Sequence, residues 1–263
     1  MSLGVRWTVG DVSARGFDAL RLSVLGARGV FGPDASYTVC VNTLPATAVR
    51  ARTGELPVEW RAVGPDDLTS LRPYLDAGLA EGVAWKLAPL RVFPDRHELA
   101  FDNDCILWSE PATVAAWRRT DRCLLAADAA PAFGRFASIC GPEPRNSGIR
   151  GLPPGYDLGV ALTAVLAAHP GPLATELDEQ GLQIVALADA MVVPLGDVSI
   201  SSPFPPHSDG MGRCGAHFVG LNVHRARPYC DTATMATIAA FWDARVGLVE
   251  RQVYLDRAGA VAG

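Results

Sequence analysis

Strand-like and helix-like segments alternate from the start of the chain, and this alternation most constrains the fold. A β-branched and aromatic run at 5–10 and another at 35–44 flank a segment at 17–30 whose apolar residues recur at helical spacing. Strand–helix–strand order favours a parallel sheet covered by helices. The first part of the chain therefore predicts an α/β fold.

The same alternation continues toward a third strand. Segments at 66–79 and 84–92 have helical spacing, and the apolar run 97–108 is interrupted by Asp102 and Asp104. No internal repeat or linker is visible, so we expect one domain over residues 1–263 with a more irregular second half. In that half the patterns predict helices at 110–119, 155–169, 178–190 and 232–258, strands at 123–130, 136–140 and 215–222, and an irregular loop at 194–216.

Composition excludes several kinds of partner. The 23 Lys and Arg residues face 28 Asp and Glu, a formal net charge of −5, whereas nucleic acids and anionic membranes attract basic surfaces. No run approaches the roughly 18–20 apolar residues of a membrane-spanning helix. The six cysteines form no C-x-x-C pair, and at least Cys40 and Cys105 lie in apolar strands. We expect reduced thiols in a cytoplasmic protein with no nucleic-acid partner and no integral membrane segment.

Asp102 and Asp104 are the first candidates for a functional site. A D-x-D triplet occurs about once by chance in such a composition, so the triplet alone carries little information. Its position carries more, because open parallel sheets bind ligands just beyond the carboxyl ends of their strands. Two carboxylates there can share a divalent cation with a substrate diphosphate. The alternative is a solvated turn whose acids cap the next helix.

Three further polar motifs follow in the second half. Asn146-Ser147-Gly148 precedes an apolar helix, the run 177–182 places two acids and an amide at a helix start, and His217 lies in a strand-like stretch. Each has an ordinary structural explanation. An N-S-G is commonly a turn, acids at a helix start interact favourably with its dipole, and a lone histidine commonly belongs to the core.

The order of these motifs along the chain is similar to that in a known family. D-x-D after a strand, N-S-G, an acid–Gln pair and H-F-x-G resemble the nucleotide-sugar glycosyltransferases of the glycogenin and lipopolysaccharide galactosyltransferase type, over residues 5–229. The resemblance implies the A-type glycosyltransferase fold, a single Rossmann-like nucleotide-diphospho-sugar transferase domain with a mostly parallel central sheet flanked by helices. It also implies a donor-binding half over about 5–108 and an acceptor-binding, metal-completing half over about 109–263.

The resemblance implies a role for each matching residue. The ligands of a Mn²⁺ or Mg²⁺ ion would be Asp102, Asp104 and His217. The groups around the transferred sugar and the acceptor would be Asn146, Glu179 and Gln180, with the acid on sugar hydroxyls and the amide beneath the anomeric carbon. The donor nucleotide would be held by Thr8, Val9, Gly10, Lys86, Asn103, Gly220 and a basic residue, Arg225 or Arg227.

The sequence departs from the family pattern in two places. Glu179 stands where the family usually has Asp, and Asp178 takes that role if the match shifts by one residue. The K-P-W that usually follows H-F-x-G is missing, and Arg227 with the proline and tyrosine after it is a displaced equivalent. Either Arg225 or Arg227 can serve as the phosphate-binding cation, because arginine suits bidentate phosphate contact.

The implied reaction moves a sugar from a UDP-sugar or another nucleotide-diphosphate donor to an unknown sugar or other acceptor, with retention of configuration. Two other functions stay open: a sugar-phosphate nucleotidyltransferase, although 9–20 lacks its glycine-rich basic loop, and a non-catalytic nucleotide-sugar-binding relative. Two local alternatives also stay open. Lys86 is a donor contact or an exposed helix charge, and the loop 194–213 is a surface excursion or a lid.

Overall fold

The computed structural model describes residues 2–75, 84–223, 225 and 230–260. Ten strands run through these residues: β1 (Leu3–Val9), β2 (Ser36–Val41), β3 (Glu59–Ala62), β4 (His97–Phe101), β5 (Cys105–Leu107), β6 (Leu124–Ala127), β7 (Arg145–Leu152), β8 (Met191–Val193), β9 (Val198–Ser201) and β10 (Gly215–Phe218). The α-helices in the same residues are α1 (Ala14–Phe31), α2 (Ala46–Thr53), α3 (Ala112–Trp117), α4 (Leu158–Ala168), α5 (Glu176–Ala186), α6 (Thr232–Asp243) and α7 (Val246–Ala260).

The strands divide between two sheets. The larger has seven strands in the order β3-β2-β1-β4-β7-β6-β8, and the smaller has the order β5-β10-β9. In the larger sheet β1 is parallel to β2 and β4, β2 to β3, and β6 to β8, whereas β7 is antiparallel to both of its neighbours. The central sheet is therefore mostly parallel, and the predicted α/β fold is confirmed.

Helix α1 connects the two sheets. Trp7 of β1 donates its indole N–H to Ser23 of α1, and the Ser23 hydroxyl donates to the carbonyl of Cys105 in β5. Gly26 lets the helix approach β5 closely, since a Cβ there would lie 2.1 Å from the Leu107 carbonyl oxygen. The smaller sheet is thereby held at the carboxyl side of β4.

The run 97–108 forms two strands in two different sheets. The chain leaves β4 at Asp102 and turns, with the backbone N–H of Cys105 donating to the carbonyl of Asp102 at 3.0 Å, before β5 begins. The N–H of Asp102 donates to the carbonyl of Gly148 in β7 at 2.9 Å. The acids from Asp102 to Asp104 thus mark the passage between the two sheets.

The two helices predicted upstream of this turn are wrong. The described part of 66–79 and the segment 84–92 contain only 3₁₀ turns, bends and irregular chain; residues 76–79 lie outside the described residues. Pro73 and Pro89 supply a physical reason, because proline has no N–H to donate and disfavours helical backbone in the residue before it. The 3₁₀ turns are Pro65–Leu68, Arg72–Tyr74 and Ala84–Leu87.

In the second half, most predicted elements are present. The helices expected at 110–119, 155–169 and 178–190 correspond to α3, α4 and α5, and the strands at 123–130 and 215–222 to β6 and β10. The long final helix expected at 232–258 is two helices, α6 and α7.

Three expectations for the second half are wrong. The strand at 136–140 is a 3₁₀ turn, Gly134–Phe136, followed by bends; Gly134 and Gly141 have φ values of +51° and +74°, which interrupt an extended strand. Asn146-Ser147-Gly148 lies inside β7, and 194–216 contains β9, because sheet neighbours supply hydrogen bonds that local patterns do not encode.

Two sequence expectations concern the whole chain. All six cysteines carry free thiols in the structure, and Cys40 and Cys105 are buried. Among the described residues, no helix has both the length and the apolarity needed to cross a membrane.

Candidate active site

A cleft of about 590 Å³ opens at the carboxyl ends of the parallel strands. The end of β1, the turn after β4, the start of β7, the first turn of α5 and the segment after β10 all contribute to its walls. This is the edge where open α/β sheets bind ligands. The predicted site residues that line it are Thr8, Val9, Gly10, Lys86, Asp102, Asn103, Asp104, Asn146, Glu179, Gln180, His217, Gly220 and Arg225.

Asp102, Asp104 and His217 lie together on the cleft floor. Each offers one ligand atom within 4.8 Å of the others. The pairing of His217 with Cys105 between β10 and β5 brings the imidazole across from the smaller sheet. Its Nε2 is 3.5 Å from Oδ2 of Asp102 and 3.3 Å from Oδ1 of Asp104.

These three groups fit a divalent cation. Oδ1 of Asp104 is buried and makes no hydrogen bond of good geometry to any described residue, which is costly for a carboxylate. Nε2 of His217, 3.3 Å away, neutralises it only when the imidazole is protonated, whereas a bound cation would do so directly. Two carboxylate oxygens and an imidazole nitrogen are ligands that divalent metals accept. The cluster is therefore a candidate metal site.

Lys86 is the nearest basic side chain to this cluster. Its Nζ lies 2.6 Å from Oδ2 of Asp102. Burial lowers the pKa of Lys86, but the negative charges of Asp102 and Glu179 outweigh it and raise the pKa above its ordinary value. Lys86 is therefore charged, and it belongs to the site rather than to an exposed helix.

Neighbouring charges also shift the pKa values of Asp102 and His217. Burial raises the pKa of Asp102, but Lys86 and His217 reverse the effect, so the pKa lies below its ordinary value. Burial lowers the pKa of His217, whereas the carboxylates of Asp104 and Asp102 raise it, and the net direction is upward. The two acids therefore favour the protonated form of His217.

The N-S-G segment supports the metal cluster from β7. Asn146 donates its amide N–H to Asp128 at 3.3 Å and lies 3.4 Å from Nδ1 of His217. Gly148 leaves room for the imidazole, because a Cβ there would lie 2.4 Å from Cε1 of His217. Ser147 donates its backbone N–H to Gln180 at 3.4 Å, which connects this strand to α5. The motif is thus a packing surface for the histidine.

Glu179 and Asp178 are neighbours with different roles. Asp178 accepts backbone N–H bonds from Arg135, Ala174 and Thr175 at 2.8–2.9 Å and so caps α5. Burial raises the pKa of Asp178, but these donors lower it below its ordinary value. Glu179 lines the cleft, and Asp178 does not. Between the two alternatives, the geometry favours Glu179 as the site acid.

The environment of Glu179 makes it an unusual carboxyl group. Burial raises its pKa from 4.5 to about 7, and Lys86 and Arg150 offset only part of the effect. Gln180, the next residue, donates its side-chain amide to the carbonyl of Ala132 at 2.9 Å. The acid–Gln pair therefore lies in a rigid position at the start of α5.

The residues expected to contact a donor nucleotide include some at the end of β1 and in the segment after β10. The hydroxyl of Thr8 donates to the carbonyl of Ala88 at 3.3 Å. Gly10 has little space, since a Cβ there would lie 2.5 Å from Oδ1 of Asn42. Gly220 has a φ of +84°, a backbone conformation that favours glycine.

Asn103 and Arg225 both line the cleft and make further contacts. The Asn103 amide donates to Gly16 and Asn222, so it holds the turn together as well as lining the cleft. Arg225 is exposed at the cleft and lies 3.6 Å from Asp11, just after β1. Arg227 lies outside the described residues.

Two polar residues of the cleft that the sequence did not single out contact the predicted site residues. Asp128 follows β6 as Asp102 follows β4, and position after a strand is the signal that could have found it. Asn222 donates to both Asn103 and Asp104 and so fixes the second metal-site carboxylate; no local pattern marks it. Phe204 and His207 of the loop 194–213 also line the cleft.

The A-type glycosyltransferase fold, which the sequence resemblance implies, is confirmed by comparison with solved structures. Among solved structures, the galactosyltransferase LgtC in complex with donor and acceptor sugar analogs is similar to this chain, with a TM-score of 0.53 and 12% identity over 91% of this chain and 94% of LgtC. An active-site mutant of LgtC gives a TM-score of 0.51 at 13% identity, over 91% and 94% of the two chains.

A further similar structure is the apo form of the bifunctional glycosyltransferase WbbM, with a TM-score of 0.53 and 13% identity over 95% of this chain and 51% of WbbM. No protein-family model matches the sequence, and no curated protein matches it at a significant level. At these identities the similarity establishes the fold.

Proposed function

We propose that this protein is a metal-dependent glycosyltransferase that moves a sugar from a nucleotide-diphosphate donor, a UDP-sugar, to a sugar or other acceptor. The observation that carries the proposal is the cluster of Asp102, Asp104 and His217 in a cleft of about 590 Å³. Structural neighbours that include a galactosyltransferase bound to donor and acceptor sugar analogs support the reaction class.

The proposed metal is Mn²⁺ in preference to Mg²⁺. Mg²⁺ demands oxygen ligands in near-ideal octahedral geometry, whereas His217 offers nitrogen. When bound, the ion would supply positive charge that stabilises the leaving diphosphate. Asp102, Asp104 and His217 would hold it, and Lys86 and either Arg225 or Arg227 would add fixed positive charge on the donor side.

Three further polar residues of the cleft, Asn146, Glu179 and Gln180, would contact the sugar. Their roles would be to orient the sugar hydroxyls and to stabilise the electron-poor anomeric carbon. Thr8, Val9 and Gly10 would contact the base and ribose, with Asn103 and Gly220 beside them. We further propose retention of configuration, which rests on the sequence resemblance.

The first test is a thermal-shift panel of nucleoside diphosphates and nucleotide sugars, with and without Mn²⁺. We expect a uridine nucleotide to stabilise the protein only when Mn²⁺ is present. Asp102→Asn with Asp104→Asn should abolish this metal-dependent shift. Asp34→Asn with Asp95→Asn, which removes two exposed acids elsewhere, is the charge-matched control.

Turnover separates the proposal from its alternatives. A transferase should release the nucleoside diphosphate from the stabilising nucleotide sugar, by transfer or slow hydrolysis. Tight donor binding without release would instead indicate a binding protein, and pyrophosphate release from a nucleoside triphosphate would indicate a nucleotidyltransferase. The proposal fails if no nucleoside diphosphate stabilises the protein, or if the Asp102/Asp104 double variant keeps the metal-dependent shift.

A further inference from the structure

A chain of three buried side chains lies behind Glu179. Gln183 follows Glu179 by one turn of α5, so both face the same side of the helix. The Gln183 amide N–H₂ donates to Oε1 of Glu179, and the Gln183 carbonyl oxygen accepts from Nη1 of Arg150 in β7. Glu179 and Gln183 are 1% exposed and Arg150 is 3% exposed. The contacts are therefore shielded from solvent.

The sheet register places Arg150 at this position. Arg150 pairs with Ala100 of β4, which in turn pairs with Arg6 of β1, so the two arginines flank a small residue in one row. Arg6 forms an ion pair with Glu98 at 3.1 Å. Among the described residues, Arg150 has no ion-pair partner within 4.0 Å, and its Nε and Nη2 make no hydrogen bond. Among the described residues, the Arg150 guanidinium donates a hydrogen bond from Nη1 to the Gln183 carbonyl oxygen.

The chemistry of Arg150 fixes how the Gln183 amide faces. A guanidinium can only donate hydrogen bonds, so the amide oxygen of Gln183 must face Arg150 and its nitrogen must face Glu179. An amide N–H₂ can only donate, so Oε1 of Glu179 must accept. When Glu179 binds a proton, Oε2 is the favoured position, because the carbonyl oxygen of a carboxylic acid accepts a hydrogen bond better than its hydroxyl oxygen. Glu179 lines the cleft, and Oε2 is the oxygen that the bond from Gln183 leaves free for a cleft ligand.

We propose that Gln183 is a positioning residue that presents Oε2 of Glu179 to the substrate, with Arg150 fixing the orientation of the Gln183 amide. Whether that substrate is a sugar rests on the proposed function. The hydrogen bonds from Arg150 through Gln183 to Glu179 do not depend on the proposed function. The positioning role and the function can therefore be tested separately.

The first test needs no activity. The free energy of unfolding of the metal-free protein is measured against pH for the wild type, Gln183→Met and Glu179→Gln, alone and combined. Loss of the Gln183 donor disfavours ionised Glu179 and so raises its pKa in the folded protein. The upper end of the pH range over which stability falls should therefore move up by about one pH unit in Gln183→Met, while the lower end, set by the unfolded chain, stays in place. In the Glu179→Gln background Gln183→Met should cause no such shift. The other charged groups that act on Glu179 (Lys86, Asp102, Arg150 and Glu176) are unchanged in both backgrounds.

The second test measures turnover of the nucleotide sugar found in the thermal-shift panel. Gln183→Met should lower kcat about 10-fold or more and change the donor KM less than 2-fold, because misplacing Oε2 affects the reacting sugar more than donor binding. Its kcat–pH profile should shift in the same direction as its stability. Gln252→Met, a change to an exposed glutamine of α7, is the matched control and should leave both unchanged.

The outcomes distinguish the two proposals. If Gln183→Met shifts neither pH profile, or lowers stability equally with and without Glu179, the positioning role is overturned even when the enzyme is active. If the stability shift is present but no nucleotide sugar is turned over by the wild type, the proposed function is overturned while the chain from Arg150 to Glu179 stands. A loss of kcat in Gln252→Met would show that the assay reports general destabilisation, and would overturn the kinetic argument.

Discussion

Gly148 shows at the residue scale how tightly the candidate site is built. A Cβ at this position would lie 2.4 Å from Cε1 and 2.6 Å from Nδ1 of His217. Gly148→Ala should therefore displace the imidazole and weaken Mn²⁺ binding, measured by calorimetry, about 10- to 100-fold. Gly29→Ala, where a Cβ meets nothing within 4 Å, is the control and should bind Mn²⁺ as the wild type does. Wild-type affinity in Gly148→Ala would mean that His217 is not a ligand.

Glu179 supplies a pH-dependent contribution to stability. Its folded-state pKa is about 7 and its ordinary value is 4.5, so the folded protein binds this proton more tightly than the unfolded chain. The contribution is fully present below about pH 4.5, and it is lost as the pH rises through about 7. The loss amounts to about 3 kcal/mol.

Glu179→Gln should remove this loss. Glutamine keeps an acceptor for Gln183 but cannot ionise, so the metal-free variant should be more stable than the wild type at pH 8 and similar at pH 4.5. Urea denaturation at the two pH values checks this, with Glu176→Gln as the charge-matched change in the same turn. Equal stability of wild type and variant at pH 8 would show that Glu179 ionises without cost.

At the element scale, α5 depends on the cap at its first turn. Asp178 is 5% exposed and accepts three part-buried backbone N–H bonds, so its removal breaks all three at once. Asp178→Ala should lower the free energy of unfolding by about 2–3 kcal/mol. Glu176→Ala, in the same turn, should change it by less than about 0.5 kcal/mol. If the two variants are equally stable, Asp178 is not the cap, and its alternative role as the site acid returns.

The elements that the sequence predicts well are those with strong local patterns. The strand, helix and strand at 5–10, 17–30 and 35–44 are all present, as are α4 and α5, because their apolar spacing matches their burial. The segment 84–92 had helical spacing but contains Pro89, and proline outweighs a periodic pattern. A turn was the ordinary structural explanation for N-S-G, but the triplet lies in β7, where Asn146 pairs with Ala126 of β6 and the Gly148 carbonyl accepts from the N–H of Asp102.

The residues of the candidate site also divide into those that a local sequence pattern marks and those that only the tertiary structure brings together. Asp102 and Asp104 could be selected because an interrupted apolar run is a local signal. That they lie close to His217 could be predicted only from the resemblance to a known family. No rule of sequence spacing shows that β5 and β10 are neighbours. Arg150 and Gln183 were not predicted because their meeting depends on sheet register and helix packing, which a single sequence does not show.

At the scale of the whole molecule, the candidate metal site joins the two sheets. Asp102 leaves the central sheet and His217 belongs to the smaller one, so a bound ion would stabilise their packing. Mn²⁺ should raise the unfolding temperature in a concentration-dependent way, and EDTA should reverse the effect. At one hundred times its Kd the ion should add about 2.7 kcal/mol to the free energy of unfolding. His217→Ala should lose this stabilisation and His169→Ala, an exposed histidine, should keep it.

We propose that Asp102, Asp104 and His217 share one divalent ion. Anomalous diffraction from crystals grown with Mn²⁺ and UDP tests it most directly. We expect a single strong manganese peak in the anomalous difference map. It should lie within about 2.3 Å of one carboxylate oxygen of Asp102, one of Asp104 and an imidazole nitrogen of His217. A peak bound elsewhere, or a Mn²⁺–UDP complex that contacts none of the three residues, would contradict it.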